Sequence, residues 1–295
     1  MTPSPRLLQS LLRSRLLVRR AKATVGIGER RSNAKGSGME FLDYREYQPG
    51  DDVRHLDAHL FARTGSHYVR QYAVYQQLPI TIIVDGSASM NFATPTKFDF
   101  ACSLASALAF VGLAGGDAVQ AAVHTGGRLR WSPLVRGTRR AQVIFDWLGA
   151  QRPAAGGFGR TLATALPRLT HRGLAILISD WWLDDPAAYL KVLDLKFLGS
   201  LRQEILAVHI AAPEELDPAR LGPGETRFVD AESGHEVELL IDQMVLGDYK
   251  AALADWQDRL RQQIRRHLGR YLVVRSDTSL ERLLLQDWRR LGLIS

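Results

Sequence analysis

The chain has 295 residues, 46% hydrophobic and 23% charged, which is typical of a globular protein large enough to bury a full core. Its single cysteine excludes an internal disulfide and predicts a reducing, cytoplasmic setting. The net charge of +7 comes from residues 1–36, which carry nine basic side chains and one acidic one, so the overall charge does not indicate a nucleic-acid-binding body.

Residues 1–35 are predicted to form a basic N-terminal helix and a linker. Leucines recur at helical spacing over residues 6–20, and residues 24–38 contain four glycines typical of a flexible connector. The simplest interpretation is a helix docked on its own domain. The alternatives are a peripheral membrane contact through residues 1–36, or a tether to nucleic acid or a partner. No apolar run reaches the roughly 18 to 20 residues that span a bilayer, so no transmembrane segment is predicted.

A polar block over residues 36–77 is predicted to pack on the domain that follows it. Arginines and aspartates alternate here around the turn signal Pro49-Gly50, and a strand is predicted over residues 68–74. The simplest interpretation is charge-paired loop scaffolding. The alternative is a docking surface for a partner protein, formed by Arg45, Asp51, Asp52 and Arg54.

Residues 78–295 alternate strands with helices, which predicts a three-layer α/β domain with a mostly parallel sheet and helices on both faces. The apolar run over residues 81–84 predicts a central strand, and the alanine-rich segment over residues 98–114 predicts a helix buried against it. The further predicted elements are strands over 118–124 and 128–131, a helix over 137–149, a helix from 161, a strand over 174–179, a helix over 186–199, a strand over 204–210, a β-hairpin over about 225–241, a helix over about 246–268, a strand over 271–275 and a C-terminal helix over 279–293.

Oxygen-bearing side chains follow two of these strands. Asp85, Ser87 and Ser89 come directly after the central strand, Asp180 follows a later strand, and Thr161 begins a helix behind a glycine-rich loop. Because the carboxyl ends of parallel strands lie at one edge of a sheet, we expect these five side chains to meet there. Two carboxylates and three hydroxyls suit a hard cation, so the sequence predicts a site for Mg²⁺ or Mn²⁺.

This pattern resembles the metal-ion-dependent adhesion site of von Willebrand factor A domains. That motif has Asp-x-Ser-x-Ser on a first loop, Thr on a second and Asp on a third, and all five positions match. The polar block resembles a narrower bacterial family, known as domain of unknown function number fifty-eight. The matching residues are Glu40-Phe41, Arg45-x-Tyr47-x-Pro49-Gly50-Asp51-Asp52-x-Arg54-x-x-Asp57 and Ala62-Arg63. Two positions depart from the family pattern: Ala58 stands where Trp is usual, and Phe61 where a small polar residue is usual.

The resemblance implies a binding module and not an enzyme. In related domains the bound metal keeps one coordination position open, and a Glu or Asp of a partner protein fills it. Members of the family are typically encoded beside MoxR-type AAA+ ATPases, which implies an adaptor or chaperone-like role with such an ATPase. We therefore expect a cytoplasmic, metal-dependent protein-interaction module.

The runner-up function is a metal-assisted phosphoester hydrolase, because Mg²⁺ with oxygen ligands can also orient water. Its weakness is the absence of a general base, since no His or Lys belongs to the motif. His55 and His59 are four residues apart, but no third zinc ligand is evident, so surface histidines are expected there.

Two tryptophans, Trp181 and Trp182, follow the last predicted ligand. Tryptophan is frequent at interface hot spots, so both are candidate partner anchors. The alternative is that at least one of them packs in the core under the helix predicted over residues 186–199.

Overall fold

The computed structural model describes residues 2–17, 39–74, 78–165, 173–182, 204–222, 224–266 and 269–295. The chain divides into two compact units. The first, here called the sheet domain, comprises Met1–Val18 and Leu78–Ser295, and the second, the hairpin unit, comprises Arg19–Gln77.

The described strands, in chain order, are β1 (Met39–Glu46), β2 (Tyr68–Val74), β3 (Pro79–Val84), β4 (Ala118–Thr125), β5 (Arg128–Trp131), β6 (Val135–Arg136), β7 (Leu174–Ser179), β8 (Glu204–Ala211), β9 (Gly224–Val229), β10 (Glu236–Ile241) and β11 (Arg270–Arg275). The described α-helices are α1 (Pro5–Leu11), α2 (Ala58–Thr64), α3 (Lys97–Ala114), α4 (Ala141–Gly149), α5 (Phe158–Ala165), α6 (Pro213–Leu216), α7 (Gln243–Arg266), α8 (Leu280–Arg282) and α9 (Trp288–Arg290). A π-helical stretch, Leu283–Asp287, joins the last two, so the predicted C-terminal helix is present over nearly its whole length. The helix predicted over residues 186–199 lies outside the described residues.

The sheet domain contains a seven-stranded sheet with the order β11-β8-β7-β3-β4-β5, in which β6 also pairs with β4. Strand β3 is central and runs parallel to both of its neighbours, β4 and β7, while β5 and β6 are antiparallel to β4. Strands β8 and β11 continue the parallel arrangement. The predicted von Willebrand A-like α/β fold with a mostly parallel sheet is confirmed. The carboxyl ends of the five parallel strands therefore share one edge.

Apolar side chains alternate between the two faces of the sheet, as the period of a strand requires. Ile82 and Val84 pack in the core cluster that contains α3, whereas Ile83 packs in a second cluster with Leu260 and Ile264 of α7. Helices thus cover both faces, as predicted. Among the described residues, α3 is the one helix whose length and composition would allow it to cross a membrane, and 83% of that segment is buried in the domain.

The N-terminal helix is shorter than the one predicted over residues 6–20. It ends at Leu11, and after a turn the chain pairs with the C-terminus, where the Leu17 N–H donates to the Leu293 carbonyl at 2.8 Å. Leu7 and Leu11 are buried in the same core cluster as α3, which confirms the docked interpretation for this stretch. The connector predicted over residues 24–38 lies outside the described part of the chain.

The hairpin unit contains β1 and β2 paired antiparallel, with α2 between them in sequence. The strand predicted over residues 68–74 is confirmed. The loop scaffolding predicted from residue 40 onward is corrected in part, because Met39–Glu46 pairs along the whole of β2 and is therefore a strand.

Candidate metal centre at the carboxyl edge of the sheet

Two aspartates follow adjacent strands of the sheet. Asp85 follows β3 and Asp180 follows β7, and the Asp85 N–H donates to the Ile178 carbonyl at 2.8 Å, extending the pairing of the two strands. Asp85 is 1% exposed and Asp180 is fully buried. The sheet therefore places two carboxylates side by side in a site that excludes most water.

The loop after β3 arranges its oxygens around Asp85. The Ser87 N–H donates to Asp85 Oδ1 at 2.9 Å, and the Ser179 hydroxyl donates to Asp85 Oδ2 at 2.6 Å. The Ser87 and Ser89 hydroxyl oxygens lie 3.2 Å apart. Glycine is required at position 86, between Asp85 and Ser87, since a Cβ there would lie 2.3 Å from the His124 carbonyl oxygen. The bond from Ser179 adds a side-chain link between the two strand ends to the backbone bond from the Asp85 N–H.

Thr161 lies in the first turn of α5, which begins at Phe158, three residues earlier than predicted. Its hydroxyl donates to the Gly157 carbonyl at 3.1 Å. The loop that precedes α5 is joined to the serine loop, because the Ala154 N–H donates to the Gly86 carbonyl at 2.8 Å. The predicted second loop thus meets the predicted first loop at the same edge.

The structure adds a lysine that the sequence argument missed. Lys97, at the start of α3, is 1% exposed, and its ammonium donates to Asp180 Oδ2 at 2.8 Å and to Glu215 Oε1 at 2.6 Å. Burial opposes the charge of this ammonium, but the Asp180 and Glu215 carboxylates outweigh burial and raise the pKa of Lys97. The sequence did carry a signal for this contact, which is a lysine at the first position of a mostly apolar helix. The helix dipole disfavours a cation there, so a specific acidic partner must compensate.

Among the residues that the structure describes, negative charge exceeds positive charge at this edge. The Lys97 ammonium is shared between Asp180 and Glu215, so one positive charge serves two carboxylates while Asp85 is buried beside them. Burial raises the pKa of Asp180, the Lys97 ammonium works against that rise, and the Asp85 charge adds to it. Two buried carboxylates with one shared ammonium form a site that favours a further cation.

His124 is a second neighbour that the sequence did not reveal. It lies at the end of β4, fully buried, and its Nδ1 is 3.5 Å from Asp85 Oδ1. Among the residues that the structure describes, neither ring nitrogen has a hydrogen-bond partner. Its ring packs against Phe158 with centroids 5.6 Å apart, which ties β4 to the start of α5.

The oxygens at this edge fit a small divalent cation. Ligands about 2.1 Å from Mg²⁺ in an octahedral shell lie roughly 3 Å from one another, close to the 3.2 Å between the Ser87 and Ser89 hydroxyl oxygens. Each carboxylate oxygen of Asp85 accepts one hydrogen bond from the loops and offers a second lone pair. Within the described ranges, no group of three or more His, Cys, Asp or Glu side chains is arranged to hold a metal. A cation here would therefore depend on the hydroxyls as well as the aspartates.

The two tryptophans after Asp180 differ in exposure. Trp181 is 1% exposed, and its indole N–H donates to the Val208 carbonyl at 3.3 Å, so core packing removes it from the candidate partner surface. Trp182 is 41% exposed and stacks on Trp256 of α7, with ring centroids 4.5 Å apart. The alternative that at least one tryptophan packs in the core describes Trp181.

The four charged residues proposed as a docking surface are paired with one another within the hairpin unit. Arg45 contacts Asp51 at 2.7 Å, and the Arg54 guanidinium holds the Asp52 carboxylate through both of its oxygens. Asp52 also accepts the Arg54 N–H and so caps the short helix Val53–His55. These contacts are the predicted charge-paired scaffolding, and the role of the same residues in docking stays a prediction.

Comparison with known proteins places the chain among uncharacterized relatives. The family model described as "Protein of unknown function DUF58" matches residues 43–259. An uncharacterized protein of Mycobacterium tuberculosis is 29% identical over 279 residues, covering 92% of this chain and 86% of that protein, and one from Mycobacterium bovis matches equally.

Two solved structures are similar in part. The SpRpn10 VWA domain is 11% identical with a TM-score of 0.42, covering 70% of this chain and 92% of that one. Manganese-loaded Plasmodium vivax TRAP protein is 17% identical with a TM-score of 0.31, covering 44% and 57%. Neither likeness bears on what the site binds, and the fold rests on the strand order itself.

Proposed function

This chain belongs to the family described as "Protein of unknown function DUF58", and we propose that it is a metal-dependent protein-interaction module. The carboxyl edge of its sheet holds Mg²⁺ or Mn²⁺, and the site recognises a carboxylate of a partner protein. The partner that we propose is a MoxR-type AAA+ ATPase, with this chain acting as its adaptor in the cytoplasm.

One observation carries the proposal. Asp85 and Asp180 are buried beside each other at the ends of adjacent strands, and the Lys97 ammonium serves Asp180 and Glu215. Among the described residues the negative charge here exceeds the positive charge, and unbalanced buried charge is costly, so an additional cation would stabilise this edge. The neighbouring hydroxyls of Ser87 and Ser89 are the ligand type that a hard cation prefers.

The candidate ligands and Lys97 have distinct roles in holding such a cation. Asp85, fixed through Ser87 and Ser179, anchors it, and the Ser87 and Ser89 hydroxyls supply neutral oxygens. Thr161 and Asp180 complete the set, directly or through water. Lys97 holds the Asp180 carboxylate in place. A bound divalent cation would supply an exchangeable position that attracts a carboxylate strongly, because the surroundings exclude competing water.

The geometry supports binding more than hydrolysis. A general base must reach water or substrate within hydrogen-bond distance. His124 and Lys97 both neighbour the site, but His124 is fully buried, and Lys97 is held by two carboxylates that raise its pKa. Neither side chain is placed to accept a proton from a water molecule, so we propose a non-enzymatic role.

Metal binding is tested by calorimetric titration with Mn²⁺. We expect the wild type to bind one equivalent and Asp85→Ala to bind none, with the fold of each checked by circular dichroism. Asp146→Asn is the matched control, since Asp146 is an exposed aspartate on α4 and should not affect binding. A wild type that binds no Mn²⁺ would overturn the proposal.

The partner is tested with a purified MoxR-type ATPase and immobilised wild type or Asp85→Ala, each in Mg²⁺ and in EDTA. Retention only by wild type in Mg²⁺ supports the adaptor function. Turnover of a generic phosphoester in Mg²⁺, lost in Asp85→Ala, would instead support the hydrolase alternative.

A further inference from the structure

A glutamate from the β9–β10 hairpin reaches the edge of the candidate metal site. The Ser89 N–H donates to Glu232 Oε1 at 3.1 Å, and the Gly156 N–H donates to Glu232 Oε2 at 3.3 Å. Ser89 belongs to the first ligand loop, and Gly156 to the loop that leads to Thr161. One carboxylate therefore bridges the two loops that carry candidate metal ligands.

The two N–H groups are positioned by features other than Glu232. Ser89 lies in the 3₁₀-helix Ala88–Asn91, and its neighbour in that helix, Met90, is fully buried. Gly156 has a φ of +152°, and a Cβ there would lie 2.4 Å from the Gly127 nitrogen, so close packing fixes its backbone. The Ser89 and Gly156 N–H groups therefore form a cradle for a carboxylate, and the packing of their own backbones supports that cradle independently of Glu232.

Glu232 is presented by a turn with its own internal support. The Asp230 carboxylate accepts the N–H groups of Glu232 and Ser233 at 3.1 and 2.6 Å, which fixes the tip of the hairpin. In the described chain, β9 and β10 pair only with each other. Of the residues in these two strands, Ile241 at the base is the one that is buried. An isolated two-stranded hairpin is marginally stable, and the exposure of these strands means that little burial opposes a displacement of the hairpin.

The Glu232 contact consists of hydrogen bonds at or just beyond the long end of the ordinary N–H···O range, at 3.1 and 3.3 Å. Both donors are backbone N–H groups, which can donate to any carboxylate oxygen that reaches them. A second carboxylate can therefore occupy the same place.

We propose that the Ser89 and Gly156 N–H groups form a carboxylate-binding cradle beside the metal site, that Glu232 fills it from within the chain, and that an aspartate or glutamate of the partner displaces Glu232. This inference rests on the proposed function, because the displacing carboxylate is the one that the partner brings to the site. Glu232 is then an internal competitor that keeps the site closed until a partner arrives.

The cradle is tested without metal, by nuclear magnetic resonance on the full chain with acetate as the probe. In Glu232→Ala, we expect the Ser89 and Gly156 amides to exchange about tenfold faster than in wild type, because each loses a hydrogen bond to a charged group. Added acetate should then shift both amide resonances in the variant and leave them in place in wild type. Glu238→Ala, an exposed glutamate on the same hairpin, is the matched control and should behave as wild type.

Equal responses to acetate in wild type and Glu232→Ala would overturn the cradle, as would no response in either. Should Glu232→Ala fail to fold, Glu232→Gln keeps the shape and removes the charge, and it should still accelerate exchange at both amides. Mn²⁺ titration separates this inference from the proposed function. Acetate binding without any Mn²⁺ binding supports the cradle and overturns the metal-dependent module, and the reverse result overturns only the cradle.

Discussion

The carboxyl edge of the sheet domain and the charged loop of the hairpin unit pair the same kinds of groups at nearly the same distance. Lys97 lies 2.8 Å from Asp180, and Arg54 lies 2.7 Å from Asp52. The first pair has side chains 1% and 0% exposed, and the second has side chains 82% and 41% exposed. Burial, and not the pairing itself, therefore distinguishes the two regions.

The two aspartates show the consequence in opposite pKa shifts. Hydrogen bonds from Arg54 hold the pKa of Asp52 below its usual value, and the small degree of burial does little to oppose its charge. Burial raises the pKa of Asp180 even though Lys97 is beside it. An exposed pair is satisfied by its own geometry and water, whereas the buried group still favours an additional cation. This difference is the reason that we propose the metal site in the sheet domain.

The largest expected effect comes from removing the buried ammonium. Lys97→Met should lower the free energy of unfolding by about 3–5 kcal/mol, because Asp180 would be left as a buried charge without its partner. Urea unfolding followed by tryptophan fluorescence measures it, since all six tryptophans lie between residues 131 and 288 of the sheet domain. Mg²⁺ should restore part of the loss, because a divalent cation can take over the neutralisation of Asp180.

Arg54→Met is the matched control for this comparison. It removes a cation from an equally short pair that water already solvates, so the protection of hairpin-unit amides from hydrogen exchange should not change measurably. Equal effects of the two substitutions, each in its own unit, would contradict the view that burial separates the two regions.

The adjacent tryptophans repeat the comparison within one loop. Trp181→Phe should cost about 1–3 kcal/mol, since it leaves a cavity in the core and removes the donor to the Val208 carbonyl. Trp182→Phe should change stability by less than about 0.5 kcal/mol, as most exposed substitutions do. The partner-binding assay then separates the roles, because only Trp182 is exposed enough to contact a partner. Weaker binding by a fully folded Trp181→Phe, with Trp182→Phe unaffected, would argue against the core assignment.

Sequence reasoning predicted the sheet well because its signals are local. The run over residues 81–84 and the alanine-rich, mostly apolar helix that follows it indicate their own burial, and the alternation of strands and helices predicts the topology. The five candidate ligands could also be identified from the sequence, since each follows a strand or lies at the start of a helix at a predictable edge of the sheet. The N-terminal helix was overextended because Leu16 keeps the helical spacing while its backbone pairs with the C-terminus.

The partners of the site were beyond local signals. Lys97, His124 and Glu232 belong to a helix start, a strand end and a hairpin tip that only the folded chain brings together. Trp181 and Trp182 are adjacent residues of the same type, so the sequence does not distinguish them. The backbone conformation after the strand Leu174–Ser179 determines which of the two is buried. Contacts between residues 39 to 143 positions apart are thus the information that the sequence patterns do not carry.

The smallest expected effect concerns a buried histidine and its exposed counterpart. His209 on β8 is buried with its Nδ1 2.6 Å from the Tyr271 hydroxyl, and burial, with the Lys97 charge adding to it, lowers the pKa of His209 to about 3. Below about pH 6.5 the unfolded chain therefore binds a proton at His209 that the folded chain does not accept until about pH 3. The stability that neutral His209 provides is complete above pH 6.5 and is lost as the pH falls towards 3.

One such group should cost about 1.4 kcal/mol between pH 7.5 and 5.5. The raised pKa of Asp180 gives a slope of opposite sign, but it is common to wild type and variant, so their difference isolates His209. His209→Gln should flatten the decline measured by urea unfolding and tryptophan fluorescence from pH 7.5 to 5.5. His59→Gln, which changes an exposed histidine of the hairpin unit, should leave the decline as in wild type. An unchanged slope in His209→Gln would mean that the buried imidazole accepts its proton at its ordinary pKa, and that burial does not set the charge at this edge of the sheet.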